Sequence, residues 1–84
     1  MFDYVEWTSI VGDILAIAQG IVSPITFFIT GQATTHLPDY TYNYSTGMIF
    51  RRTSDQIFIL IFGRDGSITT NSYNAGTWSG WKIR

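Results

Sequence analysis

Apolar residues in the first part of the chain recur with the period of a helix. Asp3 and Glu6 have the spacing of a capping box, and Gly20, with Pro24 just beyond it, indicates where a helix ends. One apolar stripe repeats at intervals of three and four and consists of Trp7, Ile10, Ile14, Ile17 and Ile21. The pattern predicts a helix over residues 3–20.

A second apolar stripe runs beside the first and consists of Val11, Leu15, Ala18 and Val22. One stripe can pack on the protein's own sheet, which leaves the other in need of a partner. Isoleucine at both core positions of a parallel seam favours trimers or tetramers. We therefore expect the first stripe to form the interface of a homotrimer. The alternative is a helix buried on two sides within its own domain.

From residue 25 onward the pattern changes to β-branched and aromatic runs separated by turn residues. Five runs favour strands: ITFFIT, MIFRR, DQIFILIF, SITTNSY and TWSGWKIR. Short turns between most of them are typical of an antiparallel meander. The predicted fold is mainly β (α+β), with an N-terminal helix in residues 1–22 that could be the end of a trimerising stalk. An antiparallel β-meander of about five strands follows in residues 23–84.

The strand IFILIF is apolar at six successive positions, so we expect it to be central and buried on both faces. In the last strand, Trp78 and Trp81 fall on opposite faces by strict alternation. Trp81 with Ile83 is expected to pack inward, and Trp78 to face a neighbouring subunit or the solvent.

Composition supports assembly and excludes several classes of function. Hydrophobic residues make up 45% of the 84 residues and charged residues only 13%, against roughly 25% charged in an average domain. A chain this small has little interior, so an oligomer would cover the surplus apolar surface. The net charge of −1, with no basic block, argues against nucleic-acid binding.

Residues 10–29 are apolar enough to suggest a membrane segment. Asp13, Gln19 and Pro24 interrupt the run, and no Lys or Arg flanks it before Arg51. We therefore expect a soluble protein without membrane insertion. The absence of cysteine excludes disulfides and Cys-based metal sites.

Catalytic chemistry finds little support in the sequence. His36 is the only histidine, and with Asp39 it offers two metal ligands where three or four are needed. The acidic residues fall in predicted caps, helix and turns, where their usual role is local hydrogen bonding. We expect no enzymatic activity, no metal site and no cofactor.

The long polar segment GQATTHLPDYTYNYSTG carries the clearest candidate for binding. Its alternate tyrosines would line one face of an extended segment and suit sugar stacking or protein contacts. The alternative is that they cover the core or a subunit interface. Arginines could hold acidic sugars or carboxylates. The candidate ligand-binding residues are Tyr40, Tyr42, Tyr44, His36, Arg51, Arg64 and Trp78.

The chain from Ile25 onward resembles the C-terminal knob domains of bacteriophage tail fibres and phage-tail-like bacteriocins, the pyocin knob group. The shared order is an aromatic strand ITFFI, the loop TTHLPDY, the strands GMIF and QIFILIF, the turn RDG and the ending NAGTWSGWKIR. The terminal G-x-W-S-x-W-K is the most specific element. The similarity covers about 60 of the 84 residues and leaves out the N-terminal helix. The segment TTNSY departs from the family, which often has a basic residue there.

The resemblance implies a homotrimer at the distal tip of a tail fibre in a virion, made in the host cytoplasm. It implies attachment to a bacterial surface glycan or protein as a receptor-binding module. Two alternatives remain: a structural trimerisation or connector module of a virion, and a small membrane-active protein that uses residues 10–29.

Overall fold

The computed structural model describes residues 7–39 and 42–84 and shows a mainly β protein with one short helix. The elements in chain order are β1 (Thr8–Ser9), β2 (Gly12–Asp13), α1 (Ile14–Gly20), β3 (Ile25–Ile29), β4 (Thr34–Thr35), β5 (Thr46–Thr53), β6 (Gln56–Phe62), β7 (Ile68–Asn74), β8 (Thr77–Trp78) and β9 (Lys82–Ile83).

Seven of the strands form one mixed sheet in the order β1-β3-β5-β6-β7-β8, with β9 also pairing with β7. Strand β1 is parallel to β3, and the other pairs in this sheet are antiparallel. Strands β2 and β4 form a separate two-stranded parallel sheet. The central strand of the large sheet is β6, the apolar run of the sequence.

The predicted helix over residues 3–20 is wrong for residues 7–13 and confirmed only for Ile14–Gly20. The helix begins at Ile14, capped by Asp13, whose Oδ1 accepts from the Leu15 N–H at 2.9 Å. Upstream of it, the Ile10 N–H donates to the Ile29 carbonyl at 3.0 Å, as a strand would. Gly12 has a φ of 104°, which no helix accommodates. Residues 3–6 of the predicted helix lie outside the described residues.

The predicted antiparallel meander of about five strands is also wrong, because the sheet is mixed and includes the N-terminal strand β1. The last predicted strand is divided into β8 and β9, which pair with different parts of β7. Gly80, with a φ of 96°, lies between them and breaks the alternation of side chains. As a result, Trp78 and Trp81 both pack against the core instead of facing opposite ways.

The core lies on one side of the large sheet, which we call the core face. Its buried side chains come from three neighbouring strands and are Phe28, Ile49, Ile57, Ile59 and Ile61. Helix α1 lies over β6 on this side and contributes Ile14 and Ala18, while Tyr42 is buried beside them.

The predicted trimer seam does not exist as a helical stripe. Ile10 and Ile14 are 2% and 0% exposed within the subunit and are therefore not available to a partner. Ile17 and Ile21 also pack against the core. Trp7 lies elsewhere, edge-on to Phe27 with ring centroids 5.7 Å apart. The interface prediction fails for the two buried isoleucines because one subunit is enough to bury them.

The opposite side of the sheet, which we call the open face, carries apolar side chains as well. They are Ile25, Phe27, Ile29, Met48, Phe50, Phe58, Leu60 and Phe62, which alternate with the buried positions. Phe58 is 47% exposed and Phe62 is 38% exposed. The prediction that β6 is buried on both faces is therefore wrong for this subunit.

Candidate functional site

A cleft of about 390 Å³ opens on the open face, at the border between β6 and the C-terminal segment. One wall is apolar and is formed by Phe50, Phe58 and Leu60. The adjoining wall is polar and is formed by Thr70, Ser72, Ser79, Lys82 and Arg84. This volume lies in the range of roughly 300–1,000 Å³ that small-molecule sites occupy.

Strand register brings these residues together from distant parts of the sequence. Phe50 and Ser72 both lie opposite Phe58 in adjacent strands, which places them in one row across the sheet. Thr70 lies opposite Leu60 on one side and Lys82 on the other, in the next row. Most of the cleft is therefore built on paired strands, with Ser79 just after β8 and Arg84 just after β9, which favours a rigid site.

The polar wall is held in place by its own hydrogen bonds. The Arg84 Nε donates to the Thr70 hydroxyl at 3.2 Å, and the Ser72 hydroxyl donates to Ser79 at 3.1 Å. Beneath them, the buried Asn71 accepts from the Gly80 N–H at 3.0 Å. These contacts fix the C-terminal segment along β7 and orient its side chains.

The cleft, which we call the cationic cleft, is locally positive. Neither Lys82 nor Arg84 forms an ion pair with a carboxylate of residues 7–39 or 42–84, and the cleft lining contains no acidic side chain. The chain as a whole has a net charge of −1. The two cations are thus concentrated at one site of an acidic protein, where they attract an anionic group.

A second concavity, of about 310 Å³, lies near the ends of β1 and β3. Its lining includes Ser9, Ile29, Gln32 and Tyr44. Tyr44 is 62% exposed and has a φ of 59°, which is uncommon for an aromatic residue. This places one of the predicted ligand-binding tyrosines at a surface depression, away from the cationic cleft.

The predicted row of three tyrosines does not form one surface. Tyr42 is only 2% exposed, and its hydroxyl is hydrogen-bonded to the hydroxyls of Ser67 and Thr69. It is a core residue, so the prediction that it contacts a ligand is wrong. Tyr44 faces solvent, and Tyr40 lies outside the described residues.

His36 joins three parts of the fold. Its Nδ1 lies 3.0 Å from Asp13 Oδ1, and its carbonyl accepts from the Trp81 Nε1–H at 2.8 Å. The side chain is exposed but does not line either concavity. Among the described residues, no group of three or more His, Cys, Asp or Glu could hold a metal ion.

The remaining predicted binding residues lie apart from one another. Arg51 donates to the Ile21 carbonyl at 2.8 Å, which ties β5 to the end of α1. Arg64 lies exposed in the turn after β6. Trp78 packs on Tyr73 with ring centroids 5.1 Å apart. None of the three lines the cationic cleft.

The turn beside Arg64 connects the surface to the core. Asp65 Oδ1 accepts from the Ser67 N–H at 3.0 Å and from the Ser67 hydroxyl at 2.7 Å. These two hydrogen bonds, the backbone one first, hold the pKa of the Asp65 carboxyl below its usual value. Because Ser67 also contacts Tyr42, the turn is fixed against the core face.

The residues of the cleft were missed because they are spread along the chain from Phe50 to Arg84. One signal was present: Lys82 and Arg84 are two residues apart at the end of a predicted strand, so they share a face. Their aromatic neighbours Phe50 and Phe58 could be assigned to the same face only with the strand register known.

No helix in the described part of the chain is long and apolar enough to cross a membrane. No protein-family model matches the chain, and no curated protein or solved structure matches it significantly.

Proposed function

We propose that the protein is a non-enzymatic attachment module that binds a component of a bacterial cell surface in the cationic cleft. The cleft is the observation that carries this proposal. It combines exposed aromatic rings and hydroxyl groups with two cations that pair with no described carboxylate, all in one rigid depression. Such a combination suits recognition of a polar ligand by orientation and charge. The resemblance of the chain from Ile25 onward to tail-fibre knob domains supports the same function.

On this proposal, the module sits at the tip of a phage-type tail fibre, assembled as a homotrimer. Several copies held together would raise the avidity for a repetitive cell surface without a tight individual site.

Filling the cleft tests the proposal without changing its charge. Ser72→Trp places a large side chain between the two walls, whereas Thr77→Trp adds the same bulk at an exposed strand position outside the lining. We expect labelled wild-type protein and the Thr77→Trp variant to bind cells from a panel of bacterial strains. The Ser72→Trp variant, folded as judged by circular dichroism, should lose at least about 90% of that binding at protein concentrations far below saturation, where this corresponds to about a tenfold loss in affinity.

Two outcomes would contradict the proposal: absence of wild-type binding above background across the panel, and retention of full binding by Ser72→Trp. The same panel should include isolated surface polysaccharides, so that a glycan receptor is distinguished from a protein receptor.

A second candidate is a structural module that joins copies of the chain without binding a receptor. The exposed apolar residues of the open face favour it, since Ile25, Phe58 and Ile29 are 51%, 47% and 38% exposed. Contiguous apolar surface of this kind usually marks an interaction site. A mass measurement by light scattering, run beside the cell-binding assay, separates the candidates: a multimer without cell binding favours the connector.

A further inference from the structure

We infer that the ligand of the cationic cleft is a sugar unit that carries a carboxylate, held by Lys82 and Arg84 with its ring against Phe58. This inference rests on the proposed attachment function and names the class of ligand. It assigns the charge recognition to the C-terminal segment, not to the arginines singled out in the sequence.

The spacing of Lys82 in β9 and Arg84 just after it allows the two cations to act on one group. Lys82 and Arg84 follow each other at alternate positions and point to the same side of the sheet, about 7 Å apart along the strand. Both side chains are long enough to converge on a single carboxylate. The Arg84 Nε is engaged by Thr70, which orients the guanidinium and leaves its terminal nitrogens for a ligand.

Charge complementarity selects an acid over a neutral ligand. The chain has five Lys and Arg in total, and two of them line this one cleft. No acidic side chain lines the cleft beside them. A carboxylate would supply the missing counter-charge through charge-assisted hydrogen bonds, which are about twice as strong as neutral ones.

The other wall selects a ring with an apolar side. Phe58, 47% exposed, and Phe50 beside it offer aromatic surface, while Ser72 offers a hydroxyl across the cleft. A pyranose has a face of C–H groups and an edge of hydroxyls, which match these two kinds of surface. A uronic or sialic acid has such a pyranose ring and carries a carboxylate in addition. An aliphatic acid would leave the hydroxyls of the cleft unused.

A matched pair of probes tests the inference. Tetragalacturonate and its methyl ester have the same rings and length, but esterification removes the carboxylate charge. Amide shifts in an NMR titration of the full chain should show binding of the acid at the β7 and β9 strands. We expect the ester to bind at least about tenfold more weakly, and binding of the acid to weaken with salt.

Charge variants locate the effect. Lys82→Gln and Arg84→Gln should each reduce affinity for the acid about tenfold or more. Arg52→Gln removes the same charge at an exposed position outside the cleft and should leave the affinity unchanged. N-acetylneuraminic acid and glucuronic acid, each beside a neutral sugar, extend the test to other acids.

Equal binding of acid and ester overturns the inference and leaves the attachment function standing, as does cell binding without affinity for any of the acidic sugars. An Arg52→Gln effect as large as that of Lys82→Gln overturns the assignment to the cleft. Acid binding in the cleft without binding to any bacterial cell supports the ligand class and contradicts the attachment function.

Discussion

On the core face of the sheet, Ile57, Ile59 and Ile61 are buried under α1 and Tyr42, whereas their immediate neighbours Phe58 and Phe62 on the open face are exposed. The two sets of residues alternate in a single strand and are equally apolar. What differs is what packs on each side: among the described residues, α1 and the side chains of Leu37 and Tyr42 pack against the core face.

This difference shows that hydrophobicity in a strand does not by itself determine burial. A seven-residue helix can cover only one side of a sheet this wide. The open face therefore keeps its aromatic side chains at the surface, and the polar residues of β7 and β9 turn one margin of it into the cationic cleft.

The largest expected effect comes from truncating neighbouring residues on the two faces. Ile59→Ala should lower the free energy of unfolding by about 2–5 kcal/mol, because it opens a cavity in the core. Phe58→Ala should lower it by about 1 kcal/mol or less in the isolated subunit, since that ring is already half in solvent. Urea unfolding followed by tryptophan fluorescence measures both.

The contrast between the two faces is contradicted if Ile59→Ala and Phe58→Ala lower the free energy of unfolding by the same amount. If the two losses in unfolding free energy are equal and grow with protein concentration, the open face is buried between copies of the chain. That result would favour the structural connector module. Equal costs that do not depend on concentration would contradict the division into two faces.

How far the sequence predicts this fold can be judged from β6 and α1. The apolar run of β6 predicts a central strand, and this is where the strand lies. The same run gives no sign of which side is covered, because Phe58 and Ile59 are equally hydrophobic. For the N-terminal segment the helical spacing of Ile10 and Ile14 is misleading. Both are buried, but Ile10 lies between β1 and β2 and only Ile14 belongs to the helix.

The candidate site was less predictable than the fold. Alternating tyrosines suggest a common surface only if the segment is extended, and in the structure the residues around Tyr42 and Tyr44 form a turn. The cleft depends on pairings between β5, β6, β7 and β9, and single-residue patterns do not encode such long-range register.

A smaller effect distinguishes the two described tyrosines of the polar segment. Tyr42→Phe removes the hydroxyl bonded to Ser67 and Thr69, and the Thr69 hydroxyl is fully buried. We expect a loss of about 1–2 kcal/mol in the free energy of unfolding. Tyr44→Phe, at an exposed position, should change it by less than about 0.5 kcal/mol. A loss for Tyr44→Phe as large as that for Tyr42→Phe would contradict the burial that separates them.

The smallest expected effect on stability comes from Asp65, which lies in the turn at the margin of the core face. Its pKa is lowered from 3.8 in the folded state by the Ser67 N–H and, next, by the Ser67 hydroxyl. The unfolded chain therefore takes up the proton at a higher pH than the folded one, so the stabilising contribution is present above about pH 4 and is lost as the pH falls through the folded pKa.

Carbon-detected NMR titration of the Asp65 carboxyl measures the pKa directly. Ser67→Ala removes only the hydroxyl donor, so Asp65 should then titrate between its wild-type and usual values. The backbone N–H keeps the rest of the shift. An unchanged Asp65 pKa in Ser67→Ala would mean that the Ser67 hydroxyl is hydrogen-bonded to Tyr42 but not to Asp65.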